Sequence, residues 1–306
     1  MTHALSDRRS GTDRCFQSSS NSHLVAKRVG PGLRSYTHER RGERVGAGDM
    51  ARRWLIALGA AFLFVIPAGA KDWQGVMLPD QPTEFIFGYG SLINSASRNS
   101  TAGKMIPAIP VRVSAAFGYI RAWDDRSTSG FTALGLRKAG PGEKASTING
   151  VLYPVEGGDM AKYDVREQGY RRVEVPRDEI EPVSWQQLPA TGMIWVYIPI
   201  KADGEPGVGL PVASAEFPLL ESYIDVVVEG ALDYGESFAR ELLETTSDWS
   251  NYWLNDRELA RRPWVYNPAS SQVDALLMAT SEAAAKLKWR LFPEPYAIHW
   301  AADKAQ

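Results

Sequence analysis

Cysteine is almost missing from this chain. Cys15 is the only one in 306 residues, so there is no disulfide framework and no cysteine cluster for zinc or iron–sulfur. Histidine is scarce as well: there are four, and His3, His23 and His38 fall within the first 49 residues. That leaves His299 alone in the rest of the chain, too few for a histidine metal site. Charge of one sign is not in excess, with 34 Lys and Arg against 36 Asp and Glu, which does not suit a nucleic-acid binder. No apolar run reaches the roughly 20 residues that span a bilayer comfortably. No internal repeat is visible.

The first 49 residues are rich in Arg, Ser and Gly and lack apolar periodicity. At Met50 the composition changes. Arg52 and Arg53 form a short basic start, 54–66 is an apolar or small-residue run, and Pro67-Ala68-Gly69-Ala70 ends it with small residues. This is the layout of a secretory signal peptide over 50–70 with cleavage after Ala70. The expectation is that Met50 is the true start, that 1–49 is a disordered or over-extended leader, and that the mature chain is exported to a periplasm or medium. Residues 71–306 carry 23 Lys and Arg against 31 Asp and Glu, a net charge of −8. Such a balance points away from nucleic acid and anionic membranes as partners, and no stable membrane anchor is expected.

From Glu84 to about Pro199 the signals are mostly β. Short β-rich runs at 84–88, 107–116, 119–123, 132–136, 151–155, 170–175 and 194–198 are separated by Gly, Pro, Ser and Asp turns. The 119–123 run is expected to be the hairpin partner of 107–116. Residues 159–168, between Gly158 and Gly169, have helix-forming composition. After 201–207 the period becomes helical. Phe217, Leu220, Ile224, Val227 and Ala231 make one stripe, and Phe238 with Leu242 suggests a second helix. A spacing of three and four from Val273 to Leu291 predicts a long third helix, with Ser271 and Asp274 at its N-cap. The fold class is therefore α+β: a small mixed β-barrel with an inserted helix over 84–200, then a C-terminal helical region over 213–302.

Two segments can carry chemistry. Glu84-Phe85-Ile86-Phe87 is an apolar strand that breaks into Gly88-Tyr89-Gly90-Ser91-Leu92, a glycine-spaced loop whose backbone N–H groups suit a small anion. Such loops are also common as ordinary turns. No third glycine follows, Gly-Lys-Ser/Thr is absent, and Ser91 lacks glycines two residues to either side. Dinucleotide, Walker and nucleophile-elbow readings therefore fail. The second segment ends in Glu167, just before Gly169 and a new strand, where a carboxylate can be aimed into a barrel mouth; Asp164 shares its helical face. A Ser91…Asp…His299 triad is disfavoured by the missing elbow, and His299 reads as a surface or packing histidine. Trp249, Trp253, Trp264, Trp289 and Trp300 read as core anchors. Arg257, Arg261 and Arg262 read as a solvated basic helix end, with anion binding as the sharper option.

Phe87-Gly88-Tyr89-Gly90-Ser91-Leu92-Ile93, Thr132-Ala133-Leu134-Gly135-Leu136, Gly150-Val151-Leu152-Tyr153-Pro154-Val155 and Tyr163-Asp164-Val165-Arg166-Glu167-Gln168-Gly169-Tyr170 together resemble the γ-glutamylcyclotransferases, including the ChaC and AIG2-like branches. The resemblance covers roughly 84–200. It implies an enzyme that releases 5-oxoproline from a γ-glutamyl peptide or amine by attack of the substrate's own α-amine. Glu167 would be the general acid and base, with Tyr89, Gly90, Ser91, Leu92 and Tyr170 binding substrate and no metal or cofactor. Residues 125–131 depart from the ChaC pattern in lacking His-Arg-Gly. The alternative is a non-catalytic small-molecule-binding module on the same fold.

Overall fold

A computed structural model describes residues 82–201, 204–259 and 269–303. The 1–49 leader, the 50–70 signal segment, Arg261, Arg262 and Trp264 lie outside the described residues. The chain runs β1 (Glu84–Gly88), α1 (Ser95–Ala102), β2 (Ile109–Val113), β3 (Tyr119–Ser127), β4 (Phe131–Lys138), β5 (Ile148–Val155), α2 (Met160–Arg166), β6 (Tyr170–Glu174), β7 (Ile180–Pro182) and β8 (Met193–Pro199). It continues with β9 (Leu219–Leu220), α3 (Glu221–Leu232), α4 (Glu236–Glu244), β10 (Thr246–Ser247), β11 (Trp253–Leu254), α5 (Ser270–Ala279), α6 (Ser281–Lys286), β12 (Arg290–Leu291) and α7 (Pro293–His299).

The strands form two mixed six-stranded sheets, ordered β6-β8-β1-β5-β2-β7 and β10-β3-β4-β9-β11-β12. In the first, β1 pairs antiparallel with β5 and parallel with β8. Phe85, Ile86 and Phe87 are all buried, which is why β1 reads as a continuous apolar run rather than an alternating one. The expected barrel is not what these pairings make. Each sheet is open, with β6 and β7 at the edges of one and β10 and β12 at the edges of the other. Closing the first sheet into a barrel would need its edge strands β6 and β7 to pair, and β3 and β4 belong to the second sheet. The expected 107–116/119–123 hairpin fails for the same reason: β2 pairs with β5 and β7, and β3 with β4 and β10. The switch lies in the 3-10 turn Ala115–Phe117 and Gly118, whose φ of 82° turns the chain away from β2.

The C-terminal region is helical only in part. Residues 219–220, 246–247, 253–254 and 290–291 supply four short strands to the second sheet. Helix α3 begins at Glu221, so Phe217 and Leu220 of the predicted stripe precede it. Ile224, Val226, Val227, Val228 and Ala231 are all buried, so α3 is enclosed on most sides rather than along one stripe. Burial of each large aliphatic side chain contributes roughly 1.5–3 kcal/mol before entropy is charged. The long third helix breaks at Thr280, which is extended (φ −98°, ψ 120°). Its hydroxyl donates to the Leu276 carbonyl at 3.0 Å, and its own carbonyl accepts from the Ala284 N–H at 2.8 Å, so it closes α5 and opens α6. Ala269, not Ser271, caps α5, and Asp274 instead binds Arg257 and Arg290.

Two polar networks, one buried and one partly buried, join these parts. Arg121 is fully buried. Its guanidinium donates to the Asn149 carbonyl (2.6 Å) and Oδ1 (2.9 Å), the Leu242 carbonyl (2.9 Å), Thr245 Oγ1 (2.6 Å) and Thr246 Oγ1 (2.9 Å), binding β3 to β5 and α4. Burial without a carboxylate in contact pushes its pKa down to about 9. Arg257, expected on a solvated helix end, instead pairs with Glu221 (2.9 Å), Asp225 (2.7 Å) and Asp274 (2.9 Å), so its charge is spent in structure.

Candidate active site

The Gly88–Leu92 loop leaves the carboxyl end of β1 and closes as the 3-10 turn Ser91–Ile93, with the Ile93 N–H on the Gly90 carbonyl at 2.9 Å. The first N–H groups of such a turn have no partner within it. Arg98 of α1 is buried and holds the turn from behind, donating to the carbonyls of Leu92 (2.9 Å) and Ile93 (3.0 Å).

Glu167 sits at the C-cap of α2, its N–H on the Tyr163 carbonyl at 2.8 Å. Gly169, with φ of 96°, then reverses the chain into β6, a conformation that would strain any residue with a Cβ. This turn aims the Glu167 carboxyl inward, where its side chain is 14% exposed. Asp164, on the same helical face, goes elsewhere: it accepts from the Tyr197 hydroxyl at 2.7 Å and pairs with Arg172.

Tyr89, Gly90, Ser91, Leu92, Glu167 and Tyr170, all six sequence-derived site residues, line one niche of about 40 Å³. Ser91, Glu167, Tyr170 and Tyr223 also line a larger cleft of about 930 Å³. The niche admits a small polar end such as a carboxylate or carbonyl, and the bulk of a small molecule belongs in the cleft.

Three further residues were not apparent from the sequence. Arg166 bridges both halves: its Nε pairs with Glu167 Oε1 at 2.9 Å, and its guanidinium donates to Ser91 Oγ at 3.0 Å, Ser97 Oγ at 3.1 Å and Thr101 Oγ1. Asp125 of β3 lines the cleft and accepts from the Tyr170 hydroxyl at 2.6 Å. Tyr223, from α3, lines both niche and cleft. Arg166 stands beside Glu167 in the quoted motif; Asp125 and Tyr223 carry no local signal. His299 is exposed, packs against Trp289 and Trp300, and lines neither cavity. Trp249 and Trp253 are buried against one another, as core anchors should be. Among the described residues no group of three or more His, Cys, Asp or Glu side chains is placed to hold a metal ion.

Burial is the main influence on the acids here. It raises the Glu167 pKa above the ordinary carboxylate range, with Arg166 pulling back and Asp125 adding to the rise. Burial likewise raises Asp125, tempered by the Tyr170 hydrogen bond. The niche thus joins a desolvated carboxylate, a fixed cation and a loop whose first N–H groups are unpaired within their own turn, a set able to hold an anionic or carbonyl group while moving a proton beside it.

No family model and no curated protein matches the chain. Among solved structures it is similar to one described as "Gamma-glutamyl cyclotransferase", at 12% identity and a TM-score of 0.38, over 54% of this chain and 90% of that one. It is similar to an uncharacterized protein from Homo sapiens at 13% identity and a TM-score of 0.37, over 54% and 90%. A γ-glutamyl cyclotransferase from yeast described as specific to glutathione matches at 18% identity and a TM-score of 0.29, over 53% and 96%.

Proposed function

We propose that this protein is a γ-glutamyl cyclotransferase-type enzyme, releasing 5-oxoproline from a γ-glutamyl peptide or amine. One observation carries the reading: the largely buried Glu167 carboxyl and the Tyr89–Leu92 loop, 75 residues apart in sequence, line a single niche.

The chemistry asks little of a protein. The substrate's α-amine and γ-carbonyl are already joined, so binding has only to bend the glutamyl chain until they meet. In the proposed step the α-ammonium gives a proton to Glu167, and the freed amine attacks the γ-carbon and closes the ring. The γ-amide C–N bond then breaks as Glu167 returns that proton to the leaving nitrogen, and the second proton of the ring nitrogen follows through the same carboxylate, so that the amine departs as an ammonium. Desolvation makes Glu167 a stronger base than a surface carboxylate, while Arg166 keeps it ionised and fixed between α2 and Ser91. The N–H groups of Gly90, Ser91 and Leu92 hold the substrate carboxylate or the developing oxyanion, and Tyr89 forms a wall of the niche. The leaving group lies in the 930 Å³ cleft, whose lining includes Asp125, Arg126 and Asp256.

The test is incubation of residues 71–306 with glutathione and a panel of γ-glutamyl amino acids and amines, scoring 5-oxoproline. Product from at least one substrate is expected. Its absence from all of them favours the alternative, a binding module on this fold, to which the Glu167–Arg166 pair also lends itself because it occupies the carboxylate. Export through the 50–70 segment belongs to the same proposal. N-terminal sequencing of native protein should begin at Lys71, and recovery of any peptide from 1–49 would contradict it.

A further inference from the structure

Four phenols line the niche: Tyr89, Tyr170, Tyr197 and Tyr223. A phenol has one proton to give, so where each proton goes decides what each tyrosine can do for a ligand. Tyr89 donates to the Tyr197 carbonyl at 2.9 Å, Tyr170 to Asp125 at 2.6 Å and Tyr197 to Asp164 at 2.7 Å. These three protons are committed to the fold.

Tyr223 is arranged differently. Its ring is set by edge contact with Trp123 (centroids 6.1 Å apart) and by Phe131 (5.2 Å). Its hydroxyl oxygen comes within 3.4 Å of where a Cβ on Gly90 would stand, so it lies directly over the loop. Its hydrogen-bonding neighbours are the Ser91 side chain and the Leu134 backbone. The Arg166 guanidinium donates to Ser91 Oγ at 3.0 Å, which leaves the Ser91 hydroxyl proton to be given to the Tyr223 oxygen. Among the described residues no acceptor takes the Tyr223 proton. Burial pushes its pKa up to about 12, so the phenol stays protonated throughout the working range. The order is therefore Arg166, Ser91, Tyr223, niche, each group polarising the next and a cation standing at the head.

We propose that Tyr223 is a catalytic residue of this site, donating its hydroxyl proton as a hydrogen bond to the γ-carbonyl oxygen as that oxygen becomes an oxyanion. The proposal rests on the reading above that the substrate is a γ-glutamyl compound. Tyr223 gives up no proton in the reaction. The α-amine nitrogen bonds to the γ-carbon, the C–N bond to the leaving amine breaks, and Glu167 carries in turn the two protons that pass from the first nitrogen to the second. What Tyr223 supplies is a preset donor, and it comes from α3, outside the 84–200 segment that holds the rest of the site. The helical region thereby completes the site.

Tyr223→Phe keeps the ring contacts and removes only the donor. Loss of one oxyanion donor costs about 10²-fold in kcat. The expected result is a fall of that order in 5-oxoproline release at an unchanged Tm. A second readout separates a hydrogen bond to the reacting oxygen from general support of the loop. Wild type should strongly prefer a γ-glutamyl amide over the matching γ-thioamide, whose sulfur is a weak acceptor, and Tyr223→Phe should lose most of that preference. Ser91→Ala, which breaks the chain one step earlier, should show a smaller drop in the same preference and serves if Tyr223→Phe fails to fold. Turnover by Tyr223→Phe within a few-fold of wild type, or an undiminished amide preference in a slowed variant, would overturn the role of Tyr223 and leave the cyclotransferase reading standing. Absence of 5-oxoproline from wild type would overturn both.

Discussion

Replacing Gly230 with alanine sets two known effects against each other. Gly230 lies inside α3, and alanine in a helix interior is favoured over glycine by about 1 kcal/mol. Yet a Cβ here would stand 2.5 Å from both the N and the Cα of Asn94, where carbon contacts want about 3.5–4 Å. The obstacle is backbone, so no rotamer change relieves it and α3 must draw back by about 1 Å. Overpacking of this kind costs about 1–3 kcal/mol. Asn94 is itself fixed, because its Oδ1 caps α1 by accepting the Ser97 N–H at 3.1 Å, a contact worth about 1 kcal/mol that the shift would loosen. Clash and cap together outweigh the propensity gain, for a net loss of about 1–3 kcal/mol. At about 2–4 °C per kcal/mol for a chain of this size, Tm should fall by about 2–12 °C. The effect reaches the site, because Tyr223 lies two turns along the same helix, about 10 Å from Gly230. Circular dichroism melting and 5-oxoproline release well below Tm check both halves. An unchanged or raised Tm would mean that α3 does not press on the Asn94 turn, and this account of how α3 meets the loop would be wrong.

Other predictions concern charge. Asp124 is buried, neither carboxylate oxygen has a hydrogen-bond partner among the described residues, and desolvation, reinforced by Asp248 and Asp125, pushes its pKa up to about 8. A folded pKa above the unfolded value near 3.8 means that stability is full below about pH 4 and declines up to about pH 8, by at most about 1.4 kcal/mol per pH unit. Asp124→Asn should flatten that slope in denaturant melts from pH 4 to 8, whereas parallel slopes would show that the group is not buried as described. In the proposed reaction Glu167 must be ionised to accept the α-ammonium proton, and burial raises its pKa. The acid limb of kcat/KM should therefore lie above the ordinary carboxylate range. Arg166→Gln, which removes the neighbouring cation, should move it to still higher pH; a limb that stays in place would separate Arg166 from the titration.

The parts of the fold legible in the sequence are those whose signals are local. β1 and α2 stand where the apolar run and the flanking glycines placed them, and Glu167 meets the Tyr89–Leu92 loop because each ends an element that aims it. Pairing was less accessible. Alternation at 107–116 and 119–123 marks strands but not partners, and Gly118 sent the second strand to another sheet. The spacing from Val273 to Leu291 continued across Thr280, since Val273, Leu276, Leu277 and Ala283 are buried on either side of the break. Two-residue strands such as β9 and β11 have no period to detect. Tyr223 fell just off the predicted Leu220–Ile224 stripe, and only the docking of α3 on the loop makes it a site residue. Asp125 likewise depends on Tyr170, 45 residues later.

The most direct test compares wild type with Glu167→Gln on whichever γ-glutamyl compound the wild type turns over best. The glutamine is nearly isosteric, keeps Arg166 and the loop in place, and cannot accept the α-ammonium proton. The account predicts retained Tm, retained substrate binding by calorimetry and loss of 5-oxoproline release by about 10²–10⁴-fold. Near-normal turnover by Glu167→Gln would contradict the central claim that this carboxylate moves the proton.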